Sequence, residues 1–218
     1  MRKLTAAIFI SLDGVIQAPG GPDEDPTSNF RLGGWVQPYW GDSPFSDVIM
    51  GEYDLLLGKR TYDIFAAYWP ANRDNPIGEK FQRINKYVLT HSDEPLTWEN
   101  SSRLSGDTAT AVAELKRTEG RDLLIQGSST LYVPLLAAGL IDRLVLMTFP
   151  VLLGDGKRIF DGSEKPGALK LVDHAVSDKG VIFASYEPAG QVQTGSFATK
   201  EPSEAELELR EKIKAGDW

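Results

Sequence analysis

Apolar residues in this chain come in short runs, and the spacing within them switches between that of a strand and that of a helix. Leu4-Thr5-Ala6-Ala7-Ile8-Phe9-Ile10 reads as a strand ending in the turn-forming Ser11-Leu12-Asp13-Gly14. Ser43-Pro44 has the form of an N-cap followed by proline at the first helical position, and Phe45, Val48, Ile49 and Tyr53 recur behind it at helical spacing. Leu55-Leu56-Leu57 is the continuous apolar run of a buried parallel strand, and Ile64, Phe65 and Tyr68 mark a helix that must stop by Pro70. Residues 72–78 read as loop and 87–90 as strand. Ala111, Val112 and Leu115 mark a helix between Asp107 and Gly120, with Gly120 at its C-terminal stop. Residues 123–126, 129–138 and 144–149 then read as strand, helix and strand.

Such alternation implies an α/β domain with a largely parallel sheet. The pattern changes near the end: residues 169–172 and 181–186 look like an antiparallel pair, so the sheet is expected to be mixed. From Gly190 to Pro202 the chain turns polar, and Ser203-Glu204-Ala205-Glu206 is a capping box opening a short charged helix. This predicts one domain over 1–188 and, over 189–218, a polar linker with a helix.

Residues 17–41 contain no periodic segment but carry four prolines, five glycines and the aromatics Phe30, Trp35, Tyr39 and Trp40. A structureless stretch of this length is uncommon except as a lid or binding loop, so it is read as a substrate lid.

A net charge of −8 over 218 residues argues against nucleic acid or an anionic membrane surface as partner and favours a small ligand. The absence of cysteine excludes disulfides, thiolate metal sites and cysteine nucleophiles. Met1-Arg2-Lys3 leads into a segment too short for a secretory core, and no run approaches the roughly 20 apolar residues of a membrane helix, so a cytoplasmic location is expected.

Two stretches share one layout. Leu55-Leu56-Leu57-Gly58-Lys59-Arg60-Thr61-Tyr62 and Leu123-Leu124-Ile125-Gln126-Gly127-Ser128-Ser129-Thr130-Leu131-Tyr132 each run from an apolar strand through a glycine turn and hydroxyls into a helix. A helix start presents unpaired N–H groups and a partial positive charge, which suits phosphate. Lys59 and Arg60 oppose the helix dipole and make poor structural sense without an anion, so a dinucleotide carrying an extra phosphate monoester fits best. Ser128 and Ser129 serve equally well as ordinary N-caps.

Taken in order, the Ser-Leu-Asp-Gly turn, Gly58-Lys59-Arg60-Thr61-Tyr62, Leu89-Thr90-His91-Ser92, Ile125 to Leu131 and Pro150-Val151-Leu152-Leu153-Gly154-Asp155-Gly156-Lys157-Arg158-Ile159-Phe160 resemble the dihydrofolate reductase-like superfamily. Within it the match is closest to the reductase domain of the bifunctional riboflavin-biosynthesis deaminase/reductase and its stand-alone relatives. The resemblance implies a three-layer α/β/α fold, NADPH as cofactor and a homodimer. It places Gly58, Lys59, Arg60 and Thr61 at the 2′-phosphate and pyrophosphate, and Thr90, His91 and Ser92 beside the adenosine. It places Gln126, Gly127, Ser128, Ser129, Thr130 and Leu131 over the pyrophosphate and nicotinamide ribose. Asp13 and Trp35 are expected beside the substrate, and Asp42 is nearest to the position where dihydrofolate reductases carry a catalytic carboxylate. The implied reaction is hydride transfer to a small heterocyclic or imine-type substrate, with a riboflavin-pathway ribosylamino-pyrimidine as first candidate. The alternatives are a pterin reductase of the same fold and a sensor that holds NADPH without turnover.

Overall fold

The computed structural model describes residues 1–41, 45–127, 129–160 and 165–217, and the side chains of 45–47 are not part of that description. Asp42 and Ser128 lie outside the described residues.

Strands β1 (Leu4–Ser11), β2 (Asp54–Gly58), β3 (Lys86–Leu89), β4 (Ser101–Leu104), β5 (Leu123–Ile125), β6 (Arg143–Phe149), β7 (Leu169–Val176) and β8 (Ile182–Pro188) form one eight-stranded sheet in the order β4-β3-β2-β5-β1-β6-β8-β7. Pairing is parallel from β4 to β6 and antiparallel between β6, β8 and β7, which gives the expected mixed sheet. The helices are α1 (Phe45–Met50), α2 (Lys59–Tyr68), α3 (Pro76–Arg83), α4 (Thr108–Arg117), α5 (Ser129–Ala137) and α6 (Glu204–Ala215).

The sheet separates two cores. Leu55 and Leu57 pack on one face with Tyr62, Phe81, Trp98 and Phe149, while Leu56 between them packs on the other with Val112, Leu131, Tyr132 and Leu135. This is the two-residue period of a strand buried on both faces by helices, and it makes the three layers.

Three local readings are corrected, and one strand, β4, had no reading at all. The segment 72–78 is not all loop, because α3 starts at Pro76. Asn75 caps it by accepting from the Ile77 and Gly78 N–H groups, and a side chain at Gly78 would collide with the Asn72 carbonyl. Strand β4 is polar, and its Ser-Ser-Arg-Leu sequence has no apolar period to announce it. Helix α4 ends at Thr118, which turns extended, whereas Gly120 lies against the Arg2 guanidinium at φ +147°. Tyr53 lies beyond α1, buried, with its hydroxyl donating to the Ile49 carbonyl.

The long loop divides in two. Phe30, Trp35 and Val36 are buried, and Trp35 and Tyr39 set their ring edges against Phe149 at 5.3 and 5.9 Å. Phe30, Trp35 and Val36 are thus part of the core, Trp40 stays exposed, and only the half before Phe30 reaches the open cavity described next. In the tail, Ser203 caps α6 by accepting from the Glu206 N–H, and α6 buries none of its residues. No helix among the described residues is long and apolar enough to cross a membrane.

Candidate active site

A cavity of about 520 Å³ opens at the carboxyl ends of β1, β2, β3 and β5. Strand β5 sits between β2 and β1, so the chain changes direction across the sheet there, which is where open α/β sheets form their ligand crevices. Between β3 and β1 the crevice spans three strand spacings, roughly 14 Å.

At the β2 end, Lys59, Arg60 and Thr61 line the cavity because α2 begins at once after Gly58. Thr90 and His91 join them from the end of β3, and Gln126, Gly127, Ser129 and Thr130 from the turn between β5 and α5. Gly127 adopts φ +116°, a conformation open to glycine and costly for other residues. A Cβ there would stand 3.4 Å from the Thr61 methyl, an ordinary van der Waals contact, so it is the backbone conformation rather than a lack of room that calls for glycine at this turn. The Gly127 N–H donates to the Tyr132 hydroxyl at 2.8 Å, and burial pushes that phenol well above its ordinary pKa. Tyr132 therefore fixes the turn from beneath; as one apolar-looking position in a helix, it gave no hint of this.

The cations are not left bare. Lys59 Nζ donates to Asp63 at 2.8 Å and to Glu94 at 2.9 Å, and these two carboxylates hold its pKa above the ordinary lysine value. Arg60 reaches Asp25 at 3.1 Å. The expectation that this pair lacks structural partners is thus corrected: the partners come from one helical turn away and from two distant loops. Thr90 and Ser92 set up one of them, since the Ser92 N–H donates to Thr90 Oγ1 and the Glu94 N–H to Ser92 Oγ.

At the β1 end the cavity is lined by Ile8, Phe9, Ile16, Gln17, Ala18, Pro19, Glu24, Asp25 and Lys157. The segment carrying Lys157 is zipped onto the loop. The Ile16 N–H donates to the Lys157 carbonyl at 2.8 Å and the Lys157 N–H to Gln17 Oε1 at 2.9 Å. Lys157 Nζ meets Asp25 at 2.5 Å. Burial pushes the Asp25 pKa up, but the hydrogen bonds from Lys157 and Thr27 outweigh it and hold the carboxyl low. Burial has the opposite net result at Glu24, whose pKa is raised although the Gly20 and Gly21 N–H groups oppose the shift. Glu24, Asp25 and Gln17 were missed from sequence. Their only trace there was the acidic run Asp23-Glu24-Asp25 in a glycine- and proline-rich loop.

Several expected residues lie elsewhere. Asp13 is turned away from the cavity: its carboxylate takes bonds from Ser11 Oγ, the Leu153 and Gly154 N–H groups and Arg158. The Ser11 hydroxyl and those backbone donors lower its pKa to about 2. Trp35 is 7% exposed and donates its indole N–H to the Gln17 carbonyl, so it supports the loop from the core side. Leu131 is a core residue, and Ser92 and Gly58 shape the turns without lining the cavity.

Chemically, the crevice offers cations and hydroxyls at two helix starts, a glycine turn without a side chain, and an apolar floor of Ala7, Ile8, Phe9 and Leu89. That donor set fits a dinucleotide phosphate, with the floor able to support a flat ring.

Residues 2–183 match the family model described as the RibD C-terminal domain. The Bacillus subtilis protein YyaP is 24% identical over 192 residues, covering 85% of this chain and 94% of its own. A candidate riboflavin biosynthesis protein from Shewanella sp. PV-4 is similar in structure, with a TM-score of 0.62, 22% identity, and coverage of 87% of this chain and 99% of its own. Dihydrofolate reductase from Enterococcus faecalis, solved with NADP(H) and RAB-propyl, gives a TM-score of 0.52 at 19% identity, covering 85% of this chain and 96% of its own.

Proposed function

Because this chain belongs to the RibD C-terminal domain family and carries the dihydrofolate reductase-like fold, we propose that it is an NADPH-dependent reductase of a small heterocyclic or imine-type substrate. The observation that carries this reading is the convergence of Lys59, Arg60, Thr61, Thr90, His91, Gln126, Gly127, Ser129 and Thr130 on one crevice.

Lys59 and Arg60 would hold the phosphate monoester that distinguishes NADPH from NADH, exchanging Asp63, Glu94 and Asp25 for it. Thr61, Ser129 and Thr130, at the starts of α2 and α5, would take the pyrophosphate. When bound, NADPH supplies the hydride. Ile8 and Phe9 would support the acceptor ring and exclude water from it, so the protein's share of the work is mainly positioning.

The test is steady-state oxidation of NADPH with a panel of cyclic imines, pterins and aminopyrimidines. Turnover of any member, with NADH a poor replacement, supports the reading. Tight NADPH binding with no oxidation across the panel replaces it with a sensor.

A further inference from the structure

Asp25 joins the two walls of the crevice. Its Oδ2 takes Lys157 Nζ at 2.5 Å and Arg60 Nη1 at 3.1 Å, and its Oδ1 accepts from the Thr27 hydroxyl at 2.5 Å. A carboxylate set between two cations occupies the position that an anionic group of a ligand would take. Taking one partner from a buried ion pair is costly because it strands the other charge, and the Asp25 side chain is only 12% exposed. Asp25 escapes that cost. Lys157, on the segment zipped onto the loop, stays with it when Arg60 leaves, and Arg60, at 61% exposed, is the partner with room to turn.

The loop that carries Asp25 is strained. Four non-glycine residues among those described have positive φ, and three of them lie between residues 17 and 30: Ala18 at +47°, Ser28 at +57° and Asn29 at +59°. Such conformations persist only where the surroundings hold them. On the Lys157 side the loop is held by backbone and side-chain bonds, whereas its tie to α2 runs through Arg60.

We propose that Asp25 is an internal rival for Arg60: the phosphate monoester of a bound dinucleotide displaces it, and the loop 17–30, still held by Lys157, is thereby released from α2. The proposal rests on the reading of Lys59 and Arg60 as the holders of that phosphate. Asp25 acts through Arg60 and is a positioning residue. It links the filling of the phosphate site to the state of the loop, so that NADPH releases the loop and NADH, which lacks the monoester, does not.

The experiment titrates the full chain with NADP⁺ and NAD⁺ in the parent, Asp25→Asn, Arg60→Ala and the double variant. Asp25→Asn keeps an acceptor for Thr27 and removes the rival charge, so it should tighten NADP⁺ by about three- to tenfold and leave NAD⁺ within about twofold. In the Arg60→Ala background the same substitution should bring no gain, since there is nothing left to compete for. Asp23→Asn, which removes an exposed charge outside the cavity, should change neither cofactor's affinity. Amide exchange across residues 17–30 should be faster in Arg60→Ala than in the parent when both are free, and equal when both are saturated with NADP⁺. A gain that survives in Arg60→Ala, an equal gain in Asp23→Asn, or an exchange difference that persists at saturation overturns the proposal. NADP⁺ binding without any gain in Asp25→Asn overturns this proposal alone. No NADP⁺ binding to the parent or to Asp25→Asn overturns the cofactor reading and this proposal with it.

Discussion

Two groups of basic side chains in this protein contrast in how they are held. Lys86 is fully buried, with its ammonium on the Phe81 carbonyl at 2.6 Å and over the Trp98 ring at 4.3 Å. Lys80, also buried, donates to the Ile49 and Gly51 carbonyls and lies 3.7 Å from the Tyr53 ring centre. Arg2 meets Asp54 at 2.6 Å with both side chains buried. Lys59 and Arg60, by contrast, are partly exposed and paired with carboxylates that are themselves largely in solvent, apart from Asp25. A cation held by fixed carbonyls and ring faces cannot turn to a ligand without opening the core, whereas one held by exposed carboxylates can exchange them at little cost. Charge in the sequence therefore says less about ligand binding than does the kind of partner each charge has.

The largest effect expected from this contrast is at the buried pair. Asp54→Ala leaves the Arg2 guanidinium and the Asn85 donors without their acceptor and should destabilise the fold by about 3–5 kcal/mol in urea unfolding, while Lys59→Ala should stay within about 1 kcal/mol. A milder Asp54→Ala would erase the distinction.

Gly127→Ala comes next. It forces a side chain into φ +116° and towards Thr61, which should cost about 1–3 kcal/mol in stability and weaken NADPH more than tenfold. Unchanged cofactor affinity would show that this turn does not meet the ligand.

The third prediction concerns pH. Burial lowers the Lys80 and Lys86 pKa values to about 8, so between pH 8 and the ordinary value of 10.5 the unfolded chain binds more protons than the native one. Stability should rise with pH across that interval. Above pH 10 the trend is opposed, because burial raises the Tyr53 and Tyr132 pKa values and only the unfolded chain then ionises them. Urea midpoints at pH 8, 9 and 10 should climb, and Lys86→Met should flatten the climb. A falling midpoint would mean that the buried lysines keep their protons.

The smallest effect is at the exposed partner. Glu94→Gln leaves Lys59 with Asp63 as its one charged partner and should raise NADPH affinity by less than about fivefold. A decrease would make Glu94 part of the binding site rather than a competitor.

The same contrast accounts for what could be read from the sequence. The turns at Gly58 and Gly127 were legible because strand, turn and helix start are contiguous, and the antiparallel end of the sheet because its strands are close neighbours in the chain. Asn75 as the cap of α3 was overlooked beside Pro76, and β4 has no apolar period to find. Asp25 meeting Arg60 and Lys157 could not be read at all, since those partners lie 35 and 132 residues away and nothing local marks them. The long loop misled for a related reason. Its aromatics suggested a lid, yet Trp35 belongs to the core, and the residues of the loop that line the cavity are Gln17, Ala18, Pro19, Glu24 and Asp25, all before the first aromatic.

The most direct test of the central claim is calorimetric titration of the full chain with NADPH and NADH, repeated with Lys59→Ala and Arg60→Ala. The account predicts tight NADPH binding, poor NADH binding and a loss of roughly 1.5–3 kcal/mol of NADPH affinity in each variant, with NADH unaffected. Equal affinity for the two cofactors, or variants that bind NADPH as the parent does, would contradict it.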